Sequence, residues 1–381
     1  MTQSKARSVT VSRLALLAGM GVAALGLGVL GHELSSAQLV AESFRPLESS
    51  DRVADQLLQA DVEHALEDSE SRFEKASGLT IKSGQQKRIV WPGGDSYGPS
   101  KNERRVPLAV VYVHGFSAGP LELEPTISTL AAELAAPLVL TRLTGHGLEN
   151  SGGAASEAMA QVRARDWWKD IHQAMAIGNL LAHRVLLIGT STGAALALSY
   201  ADDINTRRGT QRAAADGPAG LILLSPNYRV QAFGAWLLEA ALGRWLATIF
   251  LGSEREFAAV NELHAERWTT RYRSEAVHEM LLVAKRARDV KIESLSMPVL
   301  TVYAPEETVV DTSEIGKRAA LFQNPKSQTL AADWLKRHEL ASATFHPELV
   351  PRLVETLRLW VRRSVEIEIG PGEEQAESRG R

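Results

Sequence analysis

The sequence predicts an α/β fold, and three observations carry that expectation. Apolar runs of strand length recur, and segments with helical spacing lie between them. At one junction, VLLIGTSTGAALAL (185–198), a serine stands between two glycines where a strand would meet a helix. Continuous apolar runs, rather than alternating ones, suit parallel strands covered on both faces. Strand–helix alternation then implies right-handed crossovers and a mostly parallel central sheet with helices on both faces.

Composition sets the outer limits. The chain has 381 residues, 45% hydrophobic and 23% charged, which suits a globular body of one large or two small domains. A formal net charge of -3 speaks against a nucleic-acid binder. The absence of cysteine removes disulfides, thiolate chemistry, cysteine zinc sites and a lipidated cysteine. No internal repeat is present.

At the N-terminus, Lys5, Arg7 and Arg13 precede LALLAGMGVAALGLGVLG (14–31), an uncharged stretch of 18 residues. As a helix it would rise about 27 Å, close to the hydrocarbon thickness of a bilayer. Signal-peptide cores are shorter, although Ser35 and Ala37 offer small residues for a cleavage site. Residues 1–37 are therefore read as a membrane anchor or signal segment, with the basic flank cytoplasmic and the body outside. Residues 38–87 read as a helical connector, because DRVADQLLQADVEHALEDSESRFEKA spaces apolar residues on a charged background.

The body, 88–363, holds the runs LAVVYVH (108–114), PLVLTRL (137–143), RVLLIGT (184–190), AGLILLSP (219–226) and PVLTVYA (298–304). EPTISTLAAELAA precedes the second run and SEAMAQVRARDWWKDIHQAMAIGNLLA precedes the third, both with helical spacing. The tail 364–381 has a disordered composition.

Ligands of such sheets bind beyond the carboxyl ends of the strands, so the run ends are where chemistry is expected. The third run ends in Gly189-Thr190-Ser191-Thr192-Gly193, the G-x-S-x-G pattern of a nucleophile elbow, with Ser191 at its apex. The first run ends in His114-Gly115-Phe116, and the N–H groups of Phe116 and Thr192 could form an oxyanion hole. The second run ends at Gly145-His146-Gly147. His146 precedes Ser191 in the chain and is assigned a structural role. Past the fifth run lie Glu306, Glu307 and Asp311, acids that could orient a histidine, followed by His338 and His346. The order serine, acid, histidine is the one this sheet architecture uses, and the histidine base is what activates a serine.

These residues resemble the α/β-hydrolase superfamily, within it the monoglyceride lipase and lysophospholipase-like branch. The matching pieces are VYVHGF, TRLTGHG, LIGTSTG, VYAPEETVV and RHELASATFHPE, in the right order. The resemblance implies an α/β-hydrolase fold with a helical cap over about 227–296. It implies a bacterial serine ester hydrolase with catalytic Ser191, Glu307 and His338, without metal or cofactor. The family mostly has aspartate at the acid position, so Glu307 is a departure, with Asp311 and Glu306 as the other candidates. His346 is the second histidine candidate, and a role in capping the last helix is expected for it.

Within the cap, AFGAWLLEAALGRWLATIFLG (232–252) is nearly span-length but carries Glu239 and Arg244. Each would cost about 2.5–3.5 kcal/mol at a bilayer centre, so it is read as cap helices, with Phe233, Trp236 and Trp245 facing the core or an acyl chain. The expected partners are a small-molecule ester or lipid and, through the N-terminal segment, a bacterial inner membrane, with the body facing the periplasm or exterior. A secreted form after cleavage is the alternative. Acyl transfer would use the same triad, and an inactive, membrane-tethered binding module is the reading from another class.

Overall fold

The five apolar runs form the middle of a seven-stranded sheet in the computed structural model, which describes residues 37–45, 62–93, 105–207, 217–232, 234–239 and 242–365. The strands are β1 (Arg88–Val90), β2 (Val106–Val113), β3 (Leu138–Thr141), β4 (Ala182–Thr190), β5 (Gly220–Leu224), β8 (Val299–Tyr303) and β9 (Gln328–Ala331), in the order β1-β3-β2-β4-β5-β8-β9. All neighbours are parallel except β1, which runs antiparallel to β3. A separate hairpin pairs β6 (Glu254–Glu256) with β7 (Arg271–Arg273).

The continuous apolar runs follow from two cores. Ala109, Val111 and Val113 of β2 join one apolar cluster, while Leu108, Val110 and Tyr112 join the other. The same alternation divides Leu221 and Leu223 from Ile222 and Leu224. A strand with apolar cover on both sides has no position at which a polar residue is free to face water.

The helices are α1 (Val62–Ser77), α2 (Thr126–Glu133), α3 (Ala154–Gln161), α4 (Ala164–Leu181), α5 (Thr192–Thr206), α6 (Gly243–Leu251), α7 (Glu262–Arg267), α8 (Glu275–Arg288), α9 (Thr312–Ala319) and α10 (Val350–Ser364). Buried residues of α4, α5 and α8 fill the first core, and those of α2 and α10 fill the second.

Two features go beyond what the sequence pattern marks. The pattern over 156–182 is not one helix. It breaks at Val162 and Arg163, both extended, and the Asp166 carboxylate restarts it by accepting the Arg163 N–H at 2.9 Å. The edge strands β1 and β9 were not anticipated, because three- and four-residue strands with polar members leave no apolar run.

The connector docks on the body. Val62, Leu66 and Glu70, spaced by four, are the buried positions of α1. Glu70 grips the buried Arg142 with both oxygens, at 2.8 and 3.0 Å, and the guanidinium also lies over the Phe73 ring.

Between β5 and β8 the chain forms a helical turn (Ala235–Glu239), α6, the hairpin with α7 inside it, and α8. Arg244 pairs with Glu279 and Glu239 with Arg288, so the charges of the long apolar stretch tie it to α8. Trp245 faces neither core nor cavity: it is 62% exposed. Only the small residues Gly243 and Ala247 of α6 are buried, and a Cβ at Gly243 would stand 2.0 Å from the Leu238 oxygen. Close approach on that side turns the bulky apolar residues outward. Phe233, the Trp236 side chain and the apolar stretch 14–31 lie outside the described residues. No helix among the described residues is long and apolar enough to cross a membrane.

Candidate active site

Strand β4 ends at Thr190 and α5 begins at Thr192, leaving Ser191 as the single residue of the turn. Its φ of 53° and ψ of -115° are costly for a residue with a Cβ, of order 1–3 kcal/mol. Three hydrogen bonds hold it there: its N–H donates to the Leu224 oxygen at 2.8 Å, and its carbonyl accepts from Asn227 and Ala195, each at 3.1 Å. The flanking glycines are required by space. A Cβ on Gly189 would meet the Gly193 oxygen at 2.4 Å, and one on Gly193 would meet the Val113 oxygen at 2.1 Å. The G-x-S-x-G spacing is thus the spacing at which a helix can start against two parallel strands.

The loop after β2 passes beside this turn. Both His114 and Glu122 brace it. His114 Nε2 accepts the Leu143 N–H at 3.0 Å, so Nδ1 carries the proton and donates to the Gly115 carbonyl at 2.8 Å. Burial, followed by the neighbouring His146, holds the His114 imidazole well below the usual range, which keeps it neutral. Glu122 accepts the Gly115 N–H from the other side, at 2.8 Å. The N–H groups of Phe116 and Thr192 have no acceptor among the described residues, and both residues line the same cavity as Ser191. That of Thr192 is free because it opens a helix.

The acid and histidine candidates separate clearly. Glu307 lies in the turn after β8, 5% exposed, and His338 Nδ1 stands 3.0 and 2.9 Å from its two oxygens. The Val310 N–H also donates to Glu307 Oε1, at 2.8 Å, which orients the longer side chain in place of an aspartate. Burial works against a charged His338, but the hydrogen bond and charge of Glu307 outweigh it and raise the imidazole above its usual value. Asp311 is the N-cap of α9 and accepts the Glu314 N–H at 3.1 Å, and Glu306 is exposed. His346 pairs with Glu348 at 3.2 Å. It stands at the N-cap position of the helical turn (Pro347–Leu349) that leads into α10, as expected, although it caps through its carbonyl, which accepts the Leu349 N–H at 2.9 Å, and not through its side chain. His146 is buried in a cluster with His114, Phe116 and Trp167, where burial pushes it down to about 4.

Ser191, His338, Phe116 and Thr192 all line one cavity of about 760 Å³. Its upper walls are apolar and come from the segment between β5 and β8: Leu237, Phe250, Phe257, Trp268, Tyr272 and Met280. No hydrogen bond joins Ser191 to His338, whose ring bonds Glu307 through Nδ1. Among the described residues no cluster of histidine, aspartate and glutamate could hold a metal ion. Sequence reasoning missed Glu122 and Asn227. Neither belongs to a motif, and the one signal was an acid within the otherwise apolar stretch GPLEL.

Residues 110–360 match the model of a family described as the alpha/beta hydrolase family. No curated protein matches the chain. Among solved structures the chain is similar to one from work on LipS and LipT, two metagenome-derived lipolytic enzymes. The TM-score is 0.56 at 18% identity, covering 74% of this chain and 100% of that one. It is also similar to a soluble variant of the monoglyceride lipase from Saccharomyces cerevisiae in complex with a substrate analog. There the TM-score is 0.51 at 11% identity, covering 75% and 97%. At these identities the likeness is one of fold.

Proposed function

Because the chain belongs to the alpha/beta hydrolase family, we propose that it hydrolyses carboxylic esters through an acyl-enzyme on Ser191. The observation that carries this reading is the pairing of Glu307 with His338 on the wall of the cavity into which the strained Ser191 turn opens. An acid on Nδ1 fixes the tautomer that leaves Nε2 free to take a proton.

In this mechanism Ser191 Oγ attacks the ester carbon while His338 Nε2 takes its proton. The carbonyl oxygen gains the negative charge, and the N–H groups of Phe116 and Thr192 donate to it. His338 returns the proton to the departing alcohol, leaving an acyl group on Oγ. Water then attacks the acyl carbon, His338 takes the water proton and gives it to Oγ, and the carboxylic acid leaves. Glu307 holds the imidazole and stabilises its charged form throughout.

The apolar walls support a substrate with an acyl chain. Each methylene moved from water into such a cavity contributes about 0.8 kcal/mol, so an acyl chain is favoured over a small polar acid. Leu237, Phe250 and Val309 line the cavity and are also exposed, which gives an apolar path from outside to the serine. An N-terminal segment anchored in a bacterial inner membrane, with the body outside the cytoplasm, would place that path near lipid. The test is labelling by a fluorophosphonate probe together with turnover of p-nitrophenyl esters. Wild type should label and hydrolyse, and Ser191→Ala should do neither. A wild-type protein inert to both would exclude this function.

A further inference from the structure

Glu122 is a buried acid beside the serine turn for which the triad chemistry has no use. It is 4% exposed. Its Oε2 accepts the Gly115 N–H and the Tyr112 hydroxyl, each at 2.8 Å, and that hydroxyl stands 3.1 Å from Thr190 Oγ1. Gly115 is sandwiched: a Cβ there would meet Glu122 Oε1 at 2.9 Å and the Ser191 Cβ at 3.3 Å. The next peptide link carries the Phe116 N–H, and its carbonyl end is held by His114. In a trans peptide the N–H points opposite the carbonyl. Tethering both the N–H and the carbonyl of Gly115 therefore removes the freedom of the one residue that could swing the Phe116 N–H away.

We propose that Glu122 is a positioning residue that holds Gly115 so the Phe116 N–H stays aimed at the developing oxyanion, and that it does so best as an uncharged acid. The inference rests on the oxyanion role given to Phe116 above. A neutral carboxyl keeps an acceptor oxygen for Gly115 without setting a negative charge beside the oxyanion; a carboxylate adds one. Burial pushes the Glu122 carboxyl up to about 7. The groups facing it are the Gly115 N–H and Tyr112 hydroxyl, which favour ionisation, the His338 imidazole, which does the same when charged, and Glu339, which opposes it.

The experiment compares Glu122→Gln, Glu122→Asp and Glu122→Ala. Glutamine keeps the acceptor without the charge; aspartate keeps the charge but is one methylene short. On the ester that wild type cleaves best, the Ala and Asp variants should lose about 10- to 100-fold in kcat with KM within about threefold. The Gln variant should recover kcat to within about threefold of wild type at acidic pH. As the pH rises through about 7, wild type should fall behind the Gln variant. An unchanged kcat in the Ala variant, a loss confined to KM, a Gln variant as slow as Ala, or a wild-type to Gln ratio flat with pH each overturns the inference. Amide hydrogen exchange at Gly115 separates this from the proposed function. Exchange should be slow in wild type and the Gln variant and faster in the other two, whether or not any ester is cleaved. Unchanged exchange in the Ala and Asp variants refutes Glu122 as the tether even if the esterase reading holds.

Discussion

Ser191 occupies a backbone conformation that only its surroundings can enforce, and the residues around it each have a separable task. Ser191→Ala removes the proposed nucleophile without touching the turn, so turnover should vanish while the melting temperature stays close to wild type. A variant that retains more than a trace of the rate places the chemistry elsewhere. Glu307→Ala should cut kcat by up to about 10⁴-fold, since the imidazole loses its tautomer and orientation. The pH profile carries the sign. In the proposed mechanism His338 acts as a base when neutral, and its pKa is raised above the ordinary 6.5, so the acid limb of kcat/KM should lie above that value. In Glu307→Ala burial is opposed only by the more weakly acting charges of Glu339 and Glu122, and the limb should move down. A wild-type limb below 6.5 contradicts the Glu307–His338 pairing as the dominant influence.

At the scale of elements, what matters is which end of which element a residue occupies. Asp311 is an acid near the site by sequence but a helix cap by position. Asp311→Ala should therefore cost about 0.5–2 kcal/mol in chemical denaturation and leave kcat at the wild-type level. A crippled but fully stable variant would make Asp311 the triad acid. The start of α5 depends on the absence of a side chain at Gly193, so Gly193→Ala should fail to give soluble, folded protein, because the clash is with backbone oxygens that cannot step aside. The docking of α1 rests on a buried, bidentate ion pair. Glu70→Ala leaves the Arg142 guanidinium buried without it and should destabilise by about 3–5 kcal/mol, read as a shift of the denaturation midpoint.

For the whole molecule, the ends of the sheet strands position Ser191 and Glu307, and the segment between β5 and β8 supplies most of the apolar walls of the cavity that Ser191 and His338 line. Across a series of p-nitrophenyl esters, kcat/KM should therefore rise with acyl length from acetate until the cavity is filled, by up to about fourfold per methylene. A profile that peaks at acetate would mean that these apolar walls do not hold the acyl chain. The proposed anchoring of the chain by residues 14–31 is a separate matter with its own test. Full-length protein should sediment with membranes, and its body should be cleaved by protease added to cells with a permeabilised outer membrane.

The sequence by itself determined the parallel sheet, because strands buried on both faces must be apolar at every position, as LAVVYVH and AGLILLSP are. It also marked the Ser191 turn, since only glycine fits at 189 and 193. Glu307 was legible as one of three acids after a strand, but the choice among them belongs to the tertiary structure. The N-cap geometry occupies Asp311, solvent receives Glu306, and His338 reaches Glu307 from 31 residues away. Glu122 left no motif. Its place beside Gly115 arises when the segment after β2 folds back on itself, and its environment comes from Tyr112, Thr190 and His338, which are brought together only by the packed sheet. The outward face of α6 was misread for the same kind of reason. Apolar residues predict burial only when another surface arrives to cover them, and here close packing at Gly243 and Ala247 turned Trp245 toward solvent.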